Sequence, residues 1–135
     1  TVRTMQKVIL FVCTRNASRS QMGEAFFNFY NKNANYIAKS AGVEPGNAVN
    51  PMVVEVMKEK GIDMSGQYPK ILTLEMAKEA YKIIRMCGKD FCVWAPEGRT
   101  EDWDLEDPLG KSIEKVRDIR DIVEQRVLDL LSRMV

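Results

Sequence analysis

Residues 7–21 read KVILFVCTRNASRSQ, and the fold is decided there. Lys7 to Val12 is a short, nearly continuous apolar run rich in β-branched residues, the pattern of a parallel strand covered on both faces. The loop Cys13-Thr14-Arg15-Asn16-Ala17-Ser18-Arg19 follows directly. Helix signals begin at Ser18-Arg19-Ser20-Gln21, a capping-box pattern in which Ser18 accepts from the first turn and Gln21 reaches back. Met22, Ala25, Phe26, Phe29 and Tyr30 then form an apolar stripe.

The remainder of the chain repeats this alternation. Tyr36 to Ala41 reads as a second strand, ended by Gly42 and the turn-rich Glu44-Pro45-Gly46-Asn47. Asn50 caps the next helix, Pro51 takes its first position and Gly61 lies just past its end, with Val53, Val54 and Met57 facing inward. Leu74 to Ala80 reads as a short helix after Thr73, and Tyr81 to Met86 as a third strand. Either Phe91 to Trp94 or the segment near Trp103 supplies a fourth. Ile113, Val116, Ile119, Ile122, Val123, Val127, Leu130 and Leu131 mark a long amphipathic final helix. The expected fold class is α/β, a three-layer αβα arrangement around a central four-stranded parallel sheet with right-handed crossovers. One domain is expected over residues 1–135, with residues 1–4 set aside as a possible extension. Ligands of such sheets collect at the carboxyl ends of the strands, where the Cys13 loop and the Cys87 segment both emerge.

Composition narrows the chemistry. There are 20 basic and 19 acidic side chains, a net charge of +1, which gives no sign of a nucleic-acid or membrane-surface partner. No stretch approaches the ~20 apolar residues of a membrane span, and Thr1 to Lys7 lacks a signal-peptide core, so a cytoplasmic protein is expected. Histidine is absent, which removes Ser-His-Asp triads, Cys-His proteases and histidine metal sites. Cysteine is the remaining strong nucleophile. The three cysteines, Cys13, Cys87 and Cys92, are too few and too unevenly spaced for a secreted disulfide framework.

Between a strand and a helix, the successive N–H groups of the Cys13 loop can curl around an anion, and the helix dipole adds positive potential at the centre. Arg19, six residues after Cys13, closes the ring. Its guanidinium can grip two oxygens of a phosphate-like group and stabilise charge that develops during displacement. A thiol so placed is a candidate nucleophile rather than a packed core residue. Asp107 precedes Pro108, which disfavours helix there, and a carboxylic acid on such a loop can protonate a leaving oxygen.

The segment FVCTRNASRSQMGEAF resembles the signature of the low-molecular-weight tyrosine phosphatase superfamily, and specifically its arsenate reductase branch. Ser40-Ala41-Gly42, Asn50-Pro51 and Trp103-Asp104-Leu105-Glu106-Asp107-Pro108-Leu109-Gly110-Lys111 extend the resemblance over nearly the whole chain from Gln6. It implies Cys13 as nucleophile, Arg19 as oxyanion clamp and Asp107 as general acid. Asn16 and Ser20 would hold the loop and stabilise the thiolate, with Thr14, Arg15, Ala17 and Ser18 completing the oxyanion cradle. Arg15 stands where the family often has glycine, either adding positive potential at the mouth or pointing into solvent. Some of these reductases bind potassium through residues like Asn16, Glu24 and Ser40 plus an acid. Lys70 falls at the acid's place, its ammonium can substitute for the ion, and no metal is expected.

Cys87-Gly88-Lys89-Asp90-Phe91-Cys92 resembles the family's redox segment. On that resemblance Cys87 attacks the Cys13 adduct, a Cys13–Cys87 disulfide forms, and Cys92 takes over to give Cys87–Cys92. An external thiol reductant, thioredoxin or similar, would reset the pair, and no bound cofactor is needed. Two independently packed cysteines, or half of a zinc site, are the plainer alternatives. The expected activity is arsenate reduction by a monomer acting on arsenate or a phosphate-like oxyanion. The alternatives are a phosphatase working through a phosphocysteine, with Trp94 and Trp103 as candidate ring-gripping or core residues, and a cysteine phosphocarrier of a sugar-uptake system.

Overall fold

The computed structural model of the chain describes residues 6–87 and 98–134. Four parallel strands form one sheet in the order β2-β1-β3-β4. They are β1 (Lys7–Cys13), β2 (Tyr36–Gly42), β3 (Lys82–Arg85) and β4 (Thr100–Asp102), interleaved with helices α1 (Arg19–Tyr30), α2 (Pro51–Lys58), α3 (Leu74–Glu79) and α4 (Ile113–Arg133). The fourth strand is therefore the segment leading into Trp103. The alternative, Phe91 to Trp94, lies outside the described residues.

The apolar run of β1 alternates between two cores, as a strand buried on both faces must. Ile9, Phe11 and Cys13 join the larger one, shared with α1, α2 and α4. Leu10 and Val12 join a smaller one with Ala77 and Ala80 at α3. This confirms the three-layer α/β reading.

Asn50 and Thr73 cap α2 and α3 as their residue types require, accepting from Met52 N–H and Met76 N–H. Gly61, at φ +77, closes the turn after α2, a conformation that an L side chain resists.

Four sequence expectations are corrected. The capping box at α1 is not formed: Ser18 sits at the N-cap without a side-chain cap bond, and Gln21 turns to Asn16 instead. On α1 the buried aromatics are Phe26 and Phe27, since β1, β2 and α4 pack over that side of the helix, whereas Phe29 is 53% exposed. Val56 rather than Val54 completes the buried face of α2, and Ile122 lies on the solvent side of α4.

Candidate active site

The β1–α1 connection leaves the carboxyl edge of the sheet at an inner strand, where β1 has β2 on one side and β3 on the other. The loop is shaped from outside. The carbonyls of Thr14, Arg15 and Ala17 accept the N–H groups of Glu44, Gly46 and Asn50, each at 2.9 Å. A trans peptide points its C=O and N–H in opposite directions, so the N–H groups of Arg15, Asn16 and Ser18 turn toward the centre of the loop. Asn16 adopts φ +51, the left-handed conformation that asparagine tolerates better than most residues. Gly42 makes room for this curl. A Cβ there would lie 2.7 Å from the Thr14 carbonyl oxygen and 2.8 Å from Asn16 N.

Cys13 is a buried free cysteine at the rim of this cradle. Its Sγ lies 2.9 Å from Ser20 Oγ, which receives Asn16 Nδ2 at 2.6 Å. Arg19, at the first position of α1, is 3% exposed and donates through Nη1 to the Leu105 carbonyl at 3.0 Å. Its Nη2 is 3.8 Å from Asp107 Oδ2. Its Nε is fully buried and has no hydrogen-bond partner among the described residues. Such a donor is costly to leave unpaired, so Arg19 is placed to meet an acceptor that none of the described residues provides.

The far wall is set by β4. Trp103, 1% exposed, packs edge-on against Phe11 with ring centroids 5.8 Å apart, and its indole N–H donates to Glu101 at 2.6 Å. Leu105 is buried beyond it, and the chain turns back so that Asp107 faces Arg19. Leu109 N–H donates to Asp107 Oδ1 at 3.0 Å, leaving Oδ2 on the guanidinium side. Cys13, Arg15, Ala17, Arg19, Asp107 and Leu109 line a cleft of about 30 Å³. Arg15 is exposed at its mouth, and Trp103 belongs to the core.

Cys87 follows β3 directly. Met86 N–H donates to the Val12 carbonyl at 2.7 Å, so the residue after Met86 leaves the sheet beside the start of the Cys13 loop. Cys87 is buried and disulfide-bonded. Cys92 and Trp94 lie outside the described residues.

On the other side of the loop, Lys70 N–H donates to Asn16 Oδ1 at 2.9 Å, and Glu24 Oε1 accepts Ser40 Oγ at 2.6 Å. Lys70 Nζ stands 3.9 Å from Glu24 Oε1 and donates to the Tyr68 carbonyl at 2.8 Å. Burial lowers the pKa of this ammonium, with the Glu24 carboxylate opposing the shift. With a cation already facing Glu24, these residues do not fit a resident potassium ion. Among the described residues there is no cluster of three or more His, Cys, Asp or Glu suited to a metal.

Sequence reasoning missed Gln21 as a loop ligand, Gln67, the Leu105 carbonyl and the tight approach at Gly42. Only Gly42 carried a signal, as a glycine at the end of a strand facing the loop.

A model of the low molecular weight phosphotyrosine protein phosphatase family matches residues 8–135. The glutaredoxin arsenate reductase of Synechocystis sp. is 37% identical over 132 residues, spanning 95% of this chain and 98% of that protein. A solved arsenate reductase in its phosphate-binding state superposes with a TM-score of 0.80 at 34% identity, covering 96% of this chain and 100% of the other. The low molecular weight protein tyrosine phosphatase of T. tengcongensis superposes with a TM-score of 0.84 at 29% identity, covering 95% and 99%.

Proposed function

The chain belongs to the low molecular weight phosphotyrosine protein phosphatase family, and from that membership we propose that it is an arsenate reductase with Cys13 as its nucleophile. The oxyanion binds in the cradle of residues 13–20. The inward N–H groups and the buried Arg19 Nε bond its equatorial oxygens. The Cys13 thiolate attacks arsenic, an S–As bond forms as an As–O bond breaks, and the departing hydroxyl takes a proton from Asp107 and leaves as water. Cys87 then attacks Cys13 Sγ. The S–S bond forms as the S–As bond breaks, its electron pair stays on arsenic, and arsenate has become arsenite while two thiols have become a disulfide. Cys92 attacks Cys87, Cys13 is released as a thiolate, and an external dithiol of the thioredoxin or glutaredoxin class returns the remaining disulfide to thiols.

The observation that carries the reductase reading is the position of Cys87, a second cysteine directly beyond the strand adjacent to β1. A free Cys13 beside a disulfide-bonded Cys87 is also the pairing that follows once oxidation has passed outward. The phosphatase alternative uses the same cradle and acid. None of the described residues lining the cleft is aromatic, which favours a small inorganic oxyanion over a phosphotyrosine ring. We take the protein to act as a single-domain cytoplasmic monomer without a bound cofactor or metal. No helix among the described residues is long and apolar enough to cross a membrane.

The test is Cys87→Ser. Wild-type protein supplied with arsenate, thioredoxin, its reductase and NADPH should consume NADPH, and the variant should lose that turnover while still cleaving a nitrophenyl phosphate at the wild-type rate. Unchanged arsenate reduction by the variant would rule out the relay.

A further inference from the structure

Cys13 Sγ and Ser20 Oγ are 2.9 Å apart, and either atom has a proton to offer. The neighbouring groups settle the direction. The main-chain N–H of Lys70 can only donate, and it points at Asn16 Oδ1 from 2.9 Å. Gln21 Nε2 approaches the same oxygen at 3.0 Å. With its oxygen held between these two donors, the Asn16 amide must turn Nδ2 toward Ser20, where it lies 2.6 Å from Oγ. An amide nitrogen does not accept. Ser20 Oγ therefore accepts from Asn16, and its one proton is left for the sulfur.

Gln21 is oriented in turn. It is 0% exposed, and its Nε2 also meets the Asn16 and Tyr68 carbonyls at 2.9 and 3.0 Å, acceptors only. Its Oε1 receives Gln67 Nε2 at 2.7 Å. Protons thus point one way from the partly buried Gln67 through the buried Gln21, Asn16 and Ser20 to Cys13. In a low-dielectric interior such polarised bonds support one another.

We infer that Gln21, held by Gln67, is a positioning residue for the displacement at Cys13: together with the Lys70 N–H it locks the Asn16 amide and so makes Ser20 a donor to sulfur. It also keeps the main-chain oxygen of Asn16 in place while that residue holds its left-handed conformation. The network then favours the thiolate in both of its roles, as attacking group toward the oxyanion and as leaving group when the disulfide passes outward. The inference rests on Cys13 being the nucleophile and adds two residues that touch no reacting atom.

The experiment uses Cys87→Ser/Cys92→Ser protein, in which Cys13 is the sole thiol, and follows iodoacetamide alkylation against pH. Gln21→Met keeps the side-chain length and removes the amide. It should move the alkylation profile to higher pH, slowing the reaction near neutrality by about three- to tenfold, the effect of losing part of one buried hydrogen bond to a charged group. Placed on Ser20→Ala, the same substitution should add almost nothing, because the hydroxyl through which Gln21 acts is gone. Gln67→Met should shift the profile the same way by less, and it reads the same chain should Gln21→Met fail to fold. An unmoved profile in both glutamine variants, or an equal effect of Gln21→Met with and without Ser20, would overturn the inference. Arsenate turnover by the wild type is scored separately: its absence would refute the reductase reading, while alkylation still reports on the network.

Discussion

Gly42→Ala separates the geometry of the oxyanion loop from the stability of the domain. The added Cβ would stand 2.7 Å from the Thr14 carbonyl oxygen, 2.8 Å from Asn16 N and 2.9 Å from Asn16 Cβ, all within the loop and two of them main-chain atoms. To reach ordinary contact at 3.4 Å, the Thr14 oxygen must retreat by about 0.7 Å, against the Glu44 N–H bond that holds it at 2.9 Å. Overpacking of this kind costs roughly 1–3 kcal/mol, and misplacing a catalytic group by about 1 Å can cost ~10²-fold in rate. We expect Gly42→Ala to lose about 1–3 kcal/mol in urea unfolding followed by tryptophan fluorescence, and kcat/KM for arsenate to fall by about 10- to 100-fold. Gly23→Ala is the matched control. Its Cβ would meet Phe11 Cδ1 at 2.5 Å, a side-chain atom in the core, so stability should suffer at least as much and turnover by the folded fraction far less. Wild-type kcat/KM in Gly42→Ala, or an equal loss of turnover per folded molecule in both variants, would refute the reasoning.

Two further outcomes follow. Asp107→Asn keeps an acceptor for Leu109 N–H but has no proton to give, so the first displacement should slow by roughly 10²–10⁴-fold with little change in oxyanion affinity, as single-turnover kinetics and sulfate protection of Cys13 can show. A variant with the wild-type rate would remove Asp107 from the mechanism. Glu101 is held down to about 2 from 4.5, first by its bonds from Arg133 and then from the Trp103 indole, with Lys82 adding to them against some desolvation. The unfolded carboxyl therefore binds the proton more tightly than the folded one. The stability it contributes is complete above pH 4.5 and is lost as the pH falls toward 2. Urea midpoints should drop across that window in the wild type and less steeply in Glu101→Gln, and parallel pH profiles would count against this assignment.

Much of the fold was legible because periodicity and punctuation coincide in this chain. The β1 run, the Asn50-Pro51 start and the short helix after Thr73 each have one local solution, and each formed as read. The capping box failed for a tertiary reason. Ser18 and Gln21 have the right spacing, but the Asn16 amide and the Tyr68 carbonyl offer Gln21 buried partners that a helix end cannot match. Phe29 and Ile122 failed differently: a helical stripe states which side is apolar, and only the neighbouring helices decide how far around that side burial extends. In the site, Cys13 and Arg19 were readable from chemistry and spacing and Asp107 only through the family resemblance, and Arg19 meets Asp107 from 88 positions away, at 3.8 Å. The Leu105 carbonyl and the Gln67 amide were not readable, since a main-chain acceptor or a partly buried glutamine leaves no mark in a sequence until the fold brings it to a partner.

The cradle by itself does not choose between reduction and hydrolysis. Arsenate and phosphate are tetrahedral oxyanions of similar charge, and the inward N–H groups and Arg19 would engage the oxygens of both in the same way. The difference enters after Cys13 has bonded to the central atom. An S–As(V) bond can break with its electron pair left on arsenic when a second thiolate attacks the sulfur, because arsenic(III) is an accessible product. An S–P(V) bond offers no such exit, and a phosphocysteine can only pass its phosphoryl group to water or another oxygen nucleophile. Discrimination on this reading lies in what can attack Cys13 Sγ rather than in what the loop holds. That makes the register of β3 against β1, which delivers Cys87 beside the loop, a specificity element of the same rank as Arg19. On the proposed mechanism the anion site needs no rebuilding for reduction: Cys87 at the end of the neighbouring strand changes the fate of the adduct, while the groups that form the adduct serve either outcome.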